Sequence, residues 1–189
     1  MYLFDKKYEF FSEPWPHIII ENALPESLAA YMDDNWPECF PRAEIGAYGA
    51  SFKGADTVFE EFEHTNMVKN ADTILKLSAD IFGDDDPFDC DLDGLIYRED
   101  KSPDGKKHCV RDWHLDRKQK KYHGLLYIGS GPDSEFIAKN EKTGLEKTYQ
   151  YVHNRFLWYR NTDAALHKFY CGVESRKTIS ISADFLKGF

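Results

Sequence analysis

The apolar positions of this chain keep two different rhythms. Near the N-terminus a short apolar run, Ile18-Ile19-Ile20, reads as a buried strand within a strand-rich stretch over residues 1–24. Over residues 25–36 the spacing becomes helical, with Leu28, Tyr31 and Met32 on one stripe and Pro25 suited to the first helical position. Residues 37–65 hold no period, and Gly46, Gly49 and Gly54 break any long element there. A second helix is predicted over residues 66–82, where Met67, Ala71, Ile74, Leu75 and Ser78 fall near one face. Beyond residue 91 alternation takes over, with strands expected at 94–99, 110–116, 122–130, 148–152, 155–161 and 177–185, and a polar loop at 131–147. Helices followed by a run of strands give an α+β fold, the helices buttressing one sheet of a sandwich. The expected organisation is one domain over residues 1–189, with 1–90 as support and 91–189 as most of the β core.

Composition narrows the class. A formal charge of −9 and a pI near 5.2 oppose nonspecific binding to nucleic acid, which needs clustered Lys and Arg. Cys39, Cys90, Cys109 and Cys171 show no paired metal-binding spacing and read as reduced thiols of a cytoplasmic protein. No secretory signal opens the sequence, and no apolar run approaches the roughly 20 residues of a membrane span. Asp89-Cys90-Asp91-Leu92-Asp93-Gly94 imitates the start of a calcium-binding loop, but Asp100 stands where such a loop closes with Glu. A solvated acidic turn is expected there. A solvated basic loop is expected over residues 101–111, with Lys101, Lys106, Lys107 and Arg111.

The candidate chemistry lies in two short segments. Trp113-His114-Leu115-Asp116 places an imidazole and a carboxylate two residues apart. On a strand such a pair shares one face, with Leu115 turned away. His167 must then arrive from another strand. Two histidines and one carboxylate on one side of a metal leave the other positions open, the arrangement of non-haem Fe(II) oxygenases. Nine residues on, Arg176-Lys177-Thr178-Ile179-Ser180-Ile181-Ser182 alternates as a strand with Arg176 and Thr178 on one face. Gly172 lies in a turn between the two. A guanidinium there can hold the far carboxylate of a dicarboxylic 2-oxo acid through two parallel hydrogen bonds. His17, His64, His108, His123 and His153 read as structural or exposed.

With His114-Leu115-Asp116, His167, Arg176 and Thr178 in this order, the chain resembles the 2-oxoglutarate/Fe(II)-dependent oxygenases, in particular small prolyl-hydroxylase-like members from phage and marine bacteria. Val152-His153-Asn154-Arg155-Phe156-Leu157-Trp158-Tyr159 resembles the turn and strand before the distal histidine. Residues 15–25 resemble the opening strand and helix start. The resemblance implies a double-stranded β-helix (jelly-roll) core using Fe(II), 2-oxoglutarate and O2, with succinate and CO2 as co-products and stimulation by ascorbate. It implies iron on His114, Asp116 and His167, and the 2-oxoglutarate C5 carboxylate on Arg176. Thr178 would add a hydrogen bond, and Tyr97 on the preceding strand is a further candidate for the same carboxylate. Asp116 favours hydroxylation over halogenation, because related halogenases lack that carboxylate. The implied substrate is a prolyl or other residue of a protein, or a free amino acid. Nucleic-acid demethylation is disfavoured by the acidity and by the lack of a second arginine soon after Arg176. The alternative is a non-enzymatic jelly-roll protein that binds a metal or small ligand in the same pocket.

Overall fold

A computed structural model describes residues 3–37, 40–41, 47–50, 57–102 and 104–186. The N-terminal part runs β1 (Glu9–Phe11), β2 (His17–Ile20), α1 (Glu26–Asp34), β3 (Phe40–Pro41), β4 (Ala47–Ala50), α2 (Thr57–Glu63) and α3 (Ala71–Phe82). Strands follow: β5 (Cys90–Asp100), β6 (His108–His114), β7 (Lys120–Ile128), β8 (Glu135–Asn140), β9 (Glu146–Gln150), β10 (Phe156–Arg160), β11 (Ala165–Cys171) and β12 (Arg176–Phe185). They form an eight-stranded sheet in the order β1-β2-β10-β7-β12-β5-β4-β3 and a four-stranded sheet in the order β6-β11-β8-β9. The assigned pairings in both sheets are antiparallel. Among the described residues no helix is long and apolar enough to cross a membrane.

Period-two alternation gives the large sheet two different faces. Leu126 and Ile128 of β7, Phe156 and Trp158 of β10, and Ile179 and Ile181 of β12 point to the helices, where they pack with Met32, Phe59, Ile74 and Leu75. Each such side chain, fully buried, contributes about 1.5–3 kcal/mol. The intervening residues, Leu125 and Tyr127 of β7 with Leu157 and Tyr159 of β10, point to the small sheet and meet Phe136, Ala138 and Phe169.

Three elements depart from expectation. The stretch expected to be irregular contains α2, whose Phe59 and Phe62 enter the helix-side core from between exposed glutamates. The predicted helix start at residue 66 falls inside a π-helical segment, His64–Lys69. Buried Asn66 accepts a hydrogen bond from the Leu3 N–H (2.9 Å) and donates to the Phe62 carbonyl (2.9 Å), so it ties that segment to the N-terminus. The expected polar loop at 131–147 contains β8. Its inward side holds only Phe136 and Ala138, too few apolar positions to stand out among Glu135, Lys139 and Asn140.

The acidic stretch is not a free turn. Asp91 lies within β5, Asp89 pairs with Lys121 (2.5 Å), and Asp84 takes the Tyr122 hydroxyl (2.7 Å) and the Arg160 guanidinium. In the basic loop Lys106 faces Asp104 at 3.8 Å and Lys107 faces Glu135 at 2.7 Å, pairs that lie at the surface.

Candidate active site

His114 closes β6 and stands directly opposite His167 on β11, the ring centroids 4.2 Å apart. Each ring spends its Nδ1–H on a backbone carbonyl two residues earlier: His114 on Asp112 (2.7 Å), His167 on Ala165 (2.9 Å). That fixes the tautomer and leaves Nε2 of both rings bare, buried and without a hydrogen-bond partner. Burial pushes His167 down to about 3 and lowers His114 as well, so both are neutral imidazoles at physiological pH.

Asp116 completes the group. Ligand atoms of His114, Asp116 and His167 all lie within 4.8 Å of one another, the one such cluster among the described residues. The strand expected to carry both His114 and Asp116 ends at His114, so strand pleating does not aim the carboxylate. Its partners do. Asp116 Oδ2 accepts from His123 Nδ1–H (2.6 Å) and from the Tyr159 hydroxyl (2.6 Å), and Lys120 Nζ stands 3.6 Å from Oδ1. Burial alone would raise the acid, but His123, His167 and Lys120 together hold it far below the usual carboxylate range. Two neutral imidazoles and a carboxylate are the donor set that suits a divalent transition metal with open positions.

Arg176 and Thr178 are buried on the inner face of β12. Thr178 lies opposite Tyr127 of β7 and Arg98 of β5. The Arg176 guanidinium sits 4.7 Å over the Phe169 ring, with Nε 3.5 Å from Asp100 Oδ2. Burial raises the Asp100 carboxyl against the pull of Arg176, Arg98 and His108. Arg176 Nε and Nη1, Thr178 Oγ1 and the Tyr127 hydroxyl are buried with no hydrogen bond inside the protein. A buried polar group left unpaired costs about 1–3 kcal/mol, so this group of donors is suited to a polar ligand. The turn between β11 and β12 needs Gly172, where a Cβ would lie 1.7 Å from the Pro132 carbonyl oxygen.

One candidate does not join the pocket. Tyr97 pairs with Ile179 across β5 and β12, which puts it on the helix side of the sheet, stacked edge-on against Trp36 (5.8 Å) and Phe59 (5.5 Å). The odd–even phase of β5 excludes it from the carboxylate end. Three residues in the pocket went unread in the sequence. His123, read there as structural or exposed, is buried against Asp116; Tyr159 reaches the same oxygen; and Tyr127 stands beside Thr178. A signal existed for two of them: His123, Leu125 and Tyr127 share one face of β7. A cleft of about 310 Å³ opens beside Asp116, lined by Leu115, Lys118, Lys120, Asn161, Thr162 and Phe185 among others.

No protein-family model matches the chain, and no curated protein matches it in sequence. Solved structures do match in fold. A prolyl-4-hydroxylase of Pseudomonas putida superposes with a TM-score of 0.63 at 14% identity, covering 90% of this chain and 92% of that one. A prolyl hydroxylase of Trichoplax adhaerens, in complex with a peptide fragment of the hypoxia inducible factor oxygen degradation domain, gives 0.63 at 13% identity, covering 89% and 83%. An oxidoreductase of the 2OG-Fe(II) oxygenase family from Burkholderia pseudomallei gives 0.66 at 9% identity, covering 91% and 85%. The chain thus has the double-stranded β-helix fold of the 2-oxoglutarate/Fe(II) oxygenases.

Proposed function

We propose that this chain is a 2-oxoglutarate- and Fe(II)-dependent dioxygenase that hydroxylates a prolyl or other amino-acid residue, or a small amino-acid-like molecule. The observation that carries this is the pair of buried, bare Nε2 atoms of His114 and His167 facing the Asp116 carboxylate. In this reading those three groups hold Fe(II). When bound, the metal supplies the redox chemistry for O2 and a chelation point for the 2-oxo acid. The chain's own residues do the rest. Arg176 offers its fork to the C5 carboxylate, and Thr178 and Tyr127 donate hydroxyl hydrogen bonds beside it. Phe169, against His114 and His167 at one end and under the Arg176 guanidinium at the other, is the apolar wall of the space between. The cleft beside Asp116 is the substrate entrance, and the peptide held by the Trichoplax enzyme supports a peptidyl substrate.

The test is succinate formation from 2-oxoglutarate with Fe(II), ascorbate and air, followed by a mass screen of proline-containing peptides and free amino acids for the gain of one oxygen. Turnover that disappears in His167→Ala and rises with one substrate is the expected result. Metal and 2-oxoglutarate binding without succinate under any condition would favour the non-enzymatic alternative.

A further inference from the structure

His114 and His167 belong to the small sheet, each on its own strand and each oriented by a hydrogen bond to its own strand's backbone. Asp116 has neither support. It lies past the end of β6, and although His167 Nε2 stands 3.9 Å from its Oδ2, its hydrogen bonds run to the large sheet. His123 comes from β7, Tyr159 from β10, and Ser180 of β12 stands behind His123, with its Oγ 2.6 Å from Nε2. The Tyr159 oxygen is also 2.8 Å from His123 Nδ1, so the three groups form one closed set around Asp116 Oδ2.

We propose that His123 and Tyr159 are positioning residues that fix Asp116 as a metal ligand: their two donors on Oδ2 hold the carboxylate turned toward His167, whose Nε2 lies 3.9 Å from that oxygen. This rests on the metal-site reading above. The hydrogen positions follow from the geometry. A carboxylate oxygen accepts, so Nδ1 of His123 carries its hydrogen toward Asp116, and Nε2 accepts from the Ser180 hydroxyl. The Tyr159 hydroxyl donates to the same Oδ2. A carboxylate on a loop otherwise has two rotatable bonds and two equivalent oxygens, and a metal would have to order both. With Oδ2 held at 2.6 Å from two rigid strands, that ordering is complete before the metal arrives. Removing partners of this kind typically costs about 10–100-fold in metal affinity.

The experiment measures Mn(II) affinity of the full chain by electron paramagnetic resonance, with the Co(II) absorption spectrum as a report of ligand geometry. Melting of the metal-free protein checks the fold. His123→Leu removes the Nδ1 donor and should weaken Mn(II) binding about 10–100-fold. His123→Asn places an amide N–H near the Nδ1 position and should recover most of the loss. Tyr159→Phe keeps the ring packing against Trp15 and Phe136 and should weaken binding several-fold while leaving metal-free melting near wild type. It carries the test if the leucine variant does not fold. Both variants should also change the Co(II) spectrum, which a loss of packing alone would not. Folded variants with wild-type affinity and spectrum would overturn the clamp and leave the metal site standing. Wild-type protein that binds neither metal, or binds both unchanged in His167→Ala, would overturn the metal site together with it.

Discussion

The two faces of the large sheet are made from the same strands but differ sharply in what they carry. On the helix side, β7, β10 and β12 present Leu126, Phe156, Trp158 and Ile179; Trp158 Nε1–H donates to Ser78 Oγ at 2.9 Å, while Trp36 Nε1 is buried without a hydrogen bond. One residue along each strand, the inner side presents His123, Tyr159 and Thr178, with Arg176 two residues before Thr178 and His167 facing them from the small sheet. Several polar atoms on that side have no partner in the protein. Sheet pleating thus lets one face supply stability while the other carries polar groups whose cost is acceptable only because the first face is so apolar.

If the faces are independent in this way, a helix-side change should cost the most stability and the least chemistry. Trp158→Ala should lower unfolding free energy by about 3–5 kcal/mol in urea titration. The protein that remains folded should bind Mn(II) with near-native affinity; a tenfold loss there would show the faces to be coupled. His167→Ala should do the reverse. It should reduce Mn(II) affinity at least about a hundredfold, roughly 2.8 kcal/mol, with metal-free melting close to wild type. Retained affinity would require another third ligand. Arg176→Ala should keep the metal but lose about 1.5–3 kcal/mol of 2-oxoglutarate affinity in calorimetry of the Mn(II)-loaded protein. Arg176→Lys should recover part, because an ammonium cannot reproduce the planar fork. The smallest effect sharpens the comparison most. Thr178→Val replaces a buried hydroxyl that has no partner with a methyl group of similar shape, so metal-free stability should hold or rise while 2-oxoglutarate affinity falls by about 0.5–1.5 kcal/mol. A variant that lost both would place Thr178 among the structural residues.

The same pleating explains what could be read from the sequence. Arg176 and Thr178 were placed on one face by alternation alone, and β12 carries them so. The register of His114 against His167 agrees with two strands meeting at a metal. Tyr97 failed because alternation gives two faces without saying which is inward, and that phase comes from pairing Arg176 with Asp100, a contact 76 positions distant. Alternation puts His123 on one face with Tyr127, but the role of His123 and of Tyr159 is not legible for a related reason. Their significance comes from a carboxylate that reaches them from beyond a strand end. α2 and β8 were hidden by charged neighbours, since a few inward apolar residues in a polar stretch leave little periodic signal.

The split of the metal-ligand candidates between a pair of strand histidines and a carboxylate tied to the opposite sheet has a consequence for motion. Among the described residues β6 pairs only with β11 in the small sheet, so His114 sits at an edge. An ion held by all three groups would act as a bolt across the sandwich, and at a hundredfold excess over its dissociation constant it would add about 2.7 kcal/mol to the energy of opening it. Slowed amide exchange should then concentrate in β6 and β11 and leave the helix-side strands largely unchanged, so that breathing of the small sheet becomes a direct measure of how full the site is.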